Sequence, residues 1–462
     1  MKKNAHTKTS RAGKKSASIS MMLKSPFNLV MLLVIGWFVF SFLVIPAFEV
    51  LKAVFWSRGE LSLRSFERLK ESALAMRSLF NSVLLAVILA VTVNIVGVFV
   101  VLVTRYFDIK GARILWLGYA SSLIYGGIVM VSGYKFVYGP QGIVTRFLQN
   151  FIDLDPNWFS GAFAVAFVLT LGSTGNHILF LSNAINKVDY QTVEASRMMG
   201  ASSWTTLRKV VLPTLKPMIF AITILSFLGG LVALDAPLIL GKRDFQTASP
   251  MILTFANTAG SRDLAATLSI VLGVMTLLLI MGLNRLERKG QYFSVSKVST
   301  SLVKQEIENP VANAAVHIVA YLLLVIYLAP PLLITVFSFT NVQAIQRGSI
   351  RSGDFTLDNY IKALTLPGGY SPLVISLIYG VVQALAVVIL MLVAARLVVK
   401  YRNPITATLE YLLHIPWVLP SVLIALGLII GYSKPNILAG NIVLMGTTLL
   451  LLVAYIGHSR DC

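Results

Sequence analysis

One cysteine in 462 residues, Cys462, excludes an internal disulfide and a cysteine-built metal site. Charge is almost as scarce: 13% of the residues are Asp, Glu, Lys or Arg, where a soluble chain carries about 25%. Acid is scarcer still, with 19 carboxylates against 39 basic side chains and a net charge of +20. No G-x-x-x-x-G-K-[ST] run is present, so the chain has no P-loop in which to cradle ATP. His177 and His414 sit in or beside apolar stretches with no ligand cluster around either, and both read as helix-packing residues rather than metal ligands.

What is present is apolar: 56% of the residues, with a mean hydropathy of +0.79, which excludes an ordinary soluble domain. Windows of the length needed to cross a hydrocarbon core recur at Asn28 to Val50, Phe80 to Thr104, Ile114 to Phe136, Ser160 to Leu181, Met218 to Leu240 and Leu264 to Asn284. Four more run Val316 to Asn341, Leu373 to Val399, Thr408 to Tyr432 and Ile437 to Ile456; glycines and polar residues dilute the third, fourth and tenth. The expected fold is therefore an all-α integral membrane protein of about ten transmembrane helices in the lipid bilayer. With the N-terminus cytoplasmic and sides alternating, basic residues concentrate in the loops assigned to the cytoplasm, as the positive-inside rule requires. That sorting, together with the hydropathy, excludes a nucleic-acid partner. Lys2, Lys3, Lys8, Arg11, Lys14, Lys15 and Lys24 mark residues 1–27 as a basic cytoplasmic tail, and the first window is an uncleaved anchor because no small-x-small cleavage site follows it.

Residues 285–315 are charged, polar and poor in aromatics, and read as a cytoplasmic linker between a first half, 28–284, and a second, 316–462. The second half repeats the first in order and spacing. Phe355 to Tyr360 follows Leu61 to Phe66 by 294 residues, Ser376 follows Ser82 by the same offset, and Lys400-Tyr401 answers Arg105-Tyr106. Six windows separate the copies, so both enter the membrane in the same direction, and two parallel repeats related by an axis along the membrane normal are expected.

Between the fourth and fifth windows lies a polar, helix-prone stretch, 188–217. Glu194 to Gly200 can form two turns of helix, Gly200 breaks it, and Ala201 to Val211 can begin a second short helix that ends before Pro213. Leu207, Val210, Val211 and Leu212 suit packing against the chain's own helix ends. The run Glu194-Ala195-Ser196, then Gly200-Ala201, then Val210-x-Leu212-Pro213 resembles the EAA loop of ATP-binding cassette importer permeases, departing only in Ser196 for Ala and Val210 for Ile. The two-half layout is similar to the fused permeases of ferric-iron and thiamine-type importers. This resemblance implies a type I importer permease fold and a bacterial cytoplasmic membrane. It also implies a separate ATPase dimer that holds ATP and Mg and docks at Glu194, Ala195, Ser196, Gly200, Ala201, Trp204, Leu212 and Pro213. An extracytoplasmic solute-binding protein would deliver the cargo. The chain itself would be a transport subunit, with no catalytic residue and no cofactor.

In Leu234 to Gly241, which resembles a short outer motif of these permeases, Asp235-Ala236 stands where Gly or Phe-Gly is usual. Asp235 can line the path of a cationic substrate or cap a helix end. The repeat places a second EAA loop near 474 to 488, beyond residue 462, so a complete protein of twelve spans is expected, shortened here by a frameshift or premature stop or completed by another chain. Ferric iron leads the solutes that the resemblance implies; thiamine, a polyamine or a phosphonate is the alternative. A secondary transporter or channel-like protein working without an ATPase would share this hydropathy, as would an inactive truncated permease.

Overall fold

A computed structural model describes residues 21–22, 24–57, 60–258, 260–289, 303–401, 403–418 and 420–458. Most of the basic tail, the middle of the linker, the side chain of His414 and the last four residues lie outside the described residues. A backbone removed from water must close its own hydrogen bonds, and the apolar windows do so as helices. In chain order the main ones are α1 Pro26–Phe55, α2 Ala73–Tyr106, α3 Ala112–Leu123, α4 Gly127–Gln149, α5 Gly161–Ile185, α6 Tyr190–Met198, α7 Ser203–Leu231 and α8 Asp235–Leu240. They continue with α9 Arg262–Lys289, α10 Pro310–Ser338, α11 Pro367–Lys400, α12 Pro404–Val418, α13 Ser421–Gly431 and α14 Thr448–His458.

Among the described residues seven helices are long and apolar enough to span a membrane: α1, α2, α5, α7, α9, α10 and α11. The other three expected spans take different forms. The third is the pair α3 and α4, bent by 114° at a break that ends in Gly126-Gly127. The ninth is divided between α12 and α13, with Pro420, which has no N–H to continue a ladder, at the start of α13. The tenth is interrupted because Gly440, Asn441 and Gly446 all have positive φ, and only the 11-residue α14 follows.

Contacts sort the chain into two compact units. The first comprises Met1–Ala73, Ile252–Leu277 and Leu366–Cys462. Its α1 packs on α13 so closely that a Cβ at Gly427 would lie 2.7 Å from Pro46 O. Just before that proline α1 widens into a π turn, Phe40–Val44, in which Ile45 N–H bonds to Phe40 O. In the same register the Pro46 nitrogen would serve Ser41 O, but it carries no hydrogen. Tyr432 Oη donates to that freed carbonyl at 2.6 Å, and its ring stacks on Phe42 at 5.5 Å.

The second unit comprises Leu74–Met251 and Leu278–Thr365. Its core gathers side chains from α2, α3, α4, α5, α7 and α10, including Leu85, Leu115, Tyr119, Val168, Ile222 and Tyr327. Helix α10 lies along α3 and α4, where Tyr119 Oη donates to Ala320 O at 2.7 Å and Gly133 leaves room for Pro330 and Ile334. Helix α7 meets α2 at Gly230, where an added Cβ would lie 2.7 Å from Ala86 Cα. Small residues at such crossings let backbones approach, which is how helices gain contact when lipid removes the hydrophobic drive.

Candidate functional site

The stretch 188–217 forms an elbow. Helix α6 starts at the Asp189 cap, whose Oδ1 accepts from Gln191 N at 3.1 Å. It ends in a Schellman motif: Ala201 N–H bonds to Ser196 O at 3.2 Å and Gly200 N–H to Arg197 O at 2.9 Å. That closure puts Gly200 at φ +83°, the left-handed region an L side chain enters only at a cost. Ser202 caps the next helix, accepting from Thr205 N at 3.2 Å, and α7 leaves in a new direction.

The expected stop before Pro213 does not occur. Helix α7 runs on to Leu231 because a π turn, Leu207–Val211, precedes the proline, and Leu212 N–H bonds to Leu207 O. The wider turn shifts the ladder's register just where the proline ring would otherwise meet a carbonyl. The same device precedes Pro46 in α1.

The elbow has two faces of opposite character. On the inner face Val193, Ser196, Thr206, Leu207 and Val211 are buried, and Ser196 Oγ lies 3.0 Å from Thr206 Oγ1. On the outer face Met198 is 84% exposed, Met199 82% and Trp204 65%, beside exposed Glu194 and Ala195. Of the residues expected at a docking loop, Glu194, Ala195, Gly200, Trp204 and Pro213 are therefore exposed. Ala201 and Leu212 are half-buried, and Ser196 is turned inward to hold the two helices together. Sequence reasoning missed Arg197, Ser203, Glu306 and Glu308, which meet behind the elbow: Glu308 pairs with Arg197, and Ser203 Oγ donates to Glu306 O at 2.7 Å. No spacing rule links residues a hundred positions apart.

Asp235 lies at the bend between α3 and α4. It opens α8, where a carboxylate suits the helix N-terminus, and its Oδ2 occupies the space a side chain at Gly127 would need. A cavity of about 20 Å³ lies nearby, lined by Ser121, Ser122, Tyr125, Tyr134 and Tyr327 among others. It is large enough for one water, and Asp235 does not line it. His177 is buried on α5, with Nε2 3.2 Å from Asn94 Oδ1 and its ring against Gly97.

A family model, described as the inner membrane component of binding-protein-dependent transport systems, matches residues 16–288. The chain belongs to that family. This permease is 37% identical over 443 residues to the probable ABC transporter permease protein y4fN of Sinorhizobium fredii, covering 95% of the permease and 77% of that relative. It is 21% identical over 449 residues to the ferric transport system permease protein FbpB of Actinobacillus pleuropneumoniae, covering 95% of the permease and 63% of that relative. In fold it is similar to the crystal structure of a bacterial ABC transporter involved in the import of the acidic polysaccharide alginate. That match has a TM-score of 0.50 and 15% identity over 57% of the permease and 96% of the other chain. An ABC importer permease is a transport subunit, so what matters in it is where partners attach and where solute passes.

Proposed function

We propose that the elbow at Gly200 is the docking surface for a separate ATP-binding cassette ATPase, which carries the ATP and Mg and drives transport through this chain. The observation that carries the proposal is the outer face of the elbow. Two methionines and a tryptophan stand in the open around a left-handed glycine while the opposite face is pinned to the core. Methionine and tryptophan supply adaptable apolar contact to a partner groove, and Glu194 beside them can meet a basic group. This assignment puts the elbow and the N-terminus on the cytoplasmic side of a bacterial inner membrane. An extracytoplasmic binding protein then delivers solute at the other face. Ferric iron is the first solute to test. The ferric permease likeness supports it, and we assign Asp235, a half-buried carboxylate beside the bent span, as the side chain to probe for contact with a cation.

Affinity purification of the permease from its native membrane, with ATP hydrolysis as the readout, tests the docking. Trp204→Ala with Met199→Ala should remove most of the co-purifying hydrolysis, since truncating one buried aromatic anchor costs about 2 kcal/mol or more of binding. Full retention would refute the docking assignment. Uptake of labelled ferric iron, thiamine, a polyamine and a phosphonate, each with the cognate binding protein, identifies the solute. Uptake that persists without any ATPase would instead point to a secondary transporter.

A further inference from the structure

Docking of the ATPase uses the outer face of the elbow; the inner side meets a second segment with a different task. Residues 303–309, the end of the linker, run past the elbow and are fastened along their length. At one end Gln305 N–H donates to Tyr106 O at 2.8 Å and Gln305 O accepts from Asp108 N at 2.9 Å, so the segment joins the turn after α2 as a short bridge. In the middle it grips both arms of the elbow, Arg197 of α6 through the Glu308 carboxylate and Ser203 of α7 through Glu306 O. Arg197 Nη1 also donates to Ala201 O at 3.0 Å, across the Gly200 break. At the other end Asn309 caps α10, its Oδ1 accepting from Val311 N at 2.9 Å and Ala312 N at 3.2 Å, and Pro310 opens that helix.

Four residues, Met199 to Ser202, join α6 to α7, and Gly200, in the left-handed region, is the freest of them, so the helices can swing there about the Ser196–Thr206 contact that holds them together. Tethers on either side of that residue, both to the same strand of chain, remove the swing. No more than one residue separates the last tether, Glu308, from the first turn of α10. We infer that residues 305–309 are a brace that sets the angle of the elbow and makes α10 move with it, Arg197 and Glu308 being the positioning pair. The inference rests on the docking assignment for its functional meaning. A push delivered at Met199 and Trp204 would then reach α10, the helix that brings Tyr327 and Pro330 to the small, mostly apolar cavity.

The test separates the brace from the docking. In a Cys462→Ser background the permease, reconstituted in lipid nanodiscs, carries a nitroxide at Met199→Cys. ATPase retention is measured in parallel on the unlabelled protein. Glu308→Arg and Arg197→Glu should each mobilise the label and lower retention by about twofold to fivefold, the range for a part-exposed ion pair. The double exchange restores the ion pair but not the Arg197 donation to Ala201 O, so it should recover part of both readouts relative to either single exchange, which a merely structural lesion would not allow. Ser203→Ala, which removes only the Glu306 contact, should mobilise the label by itself and covers the case in which a charge reversal fails to fold. An immobile label in both single exchanges and in Ser203→Ala overturns the brace whatever the ATPase does. A mobilised label with unchanged retention supports the brace and refutes the docking assignment.

Discussion

Gly200→Ala isolates the elbow's backbone from its contacts. No heavy atom outside the adjoining residues lies within 4 Å of where the new Cβ would stand, so the methyl group meets open space. The whole penalty is conformational: an L residue held at φ +83° loses roughly 1–2 kcal/mol, a factor of about 5 to 30 in the ratio of the bent elbow to its alternatives. If only the bent form binds the ATPase, the apparent affinity falls by no more than that factor, because affinity scales with the competent fraction. Gly200→Asn should fall between alanine and wild type, since asparagine enters the left-handed region more readily. Biolayer interferometry of nanodisc-held permease against the purified ATPase reads the affinity, and the Met199 nitroxide reads the elbow. Wild-type affinity and label motion in Gly200→Ala would refute the conformational argument. Equal losses for alanine and asparagine would show that the partner needs the open space itself.

Gly230→Ala should destabilise the permease by about 1–3 kcal/mol, because its Cβ would stand 2.7 Å from Ala86 Cα, a backbone atom that cannot step aside, while Gly229→Ala, with nothing within 4 Å, should be silent. Equal melting temperatures for the two in detergent would contradict this. Tyr432→Phe should cost about 1–3 kcal/mol by leaving Ser41 O buried without a donor, and a melting temperature like wild type would count against that bond. The Asp354 carboxyl is held below the usual carboxylate range, first by Arg351 N–H at 2.8 Å and then by Asn341 and Arg347. A depressed folded value means that this stability is complete above the unfolded carboxylate value of about 3.9 and is lost as pH falls through the folded one. Amide protection around Val342–Arg347, taken relative to intrinsic exchange at each pH, should therefore fall on acidification in the wild type but stay flat in Asp354→Asn; parallel profiles would refute the assignment.

The spans and the elbow were legible in the sequence for physical reasons. Uninterrupted apolar runs leave a chain in lipid little choice but helix, and a glycine after two helical turns is the usual residue for a left-handed cap. The bend between α3 and α4 was not legible, because hydropathy averages over a window and registers Gly126 and Gly127 as dilution rather than direction. The continuation of α7 through Pro213 escaped for a similar reason. Proline ends helices by losing a donor and crowding a carbonyl, and a π turn one step upstream relieves both without leaving any mark on composition. The brace was invisible because Arg197 and Glu308 are brought together only by the path of the chain between them. Ser196 was expected at the docking surface for its place in the motif, whereas its burial against Thr206 depends on how α7 folds back.

Four of the described helical runs contain a π turn, at Phe40–Val44, Leu102–Tyr106, His177–Leu181 and Leu207–Val211. Each such turn stores one residue more than a regular helix would use, and that spare residue is slack. Deleting one residue within Leu207–Val211 would take up the slack and keep the membrane part of α7 intact. Both flanks would keep close to their present bearing, whereas the same deletion in a regular stretch of α7 would rotate everything on the elbow side by about 100° and shift it by about 1.5 Å, turning Trp204 away. The point at which this protein can be shortened most gently thus lies right beside its outward-facing surface and spares the direction in which that surface points.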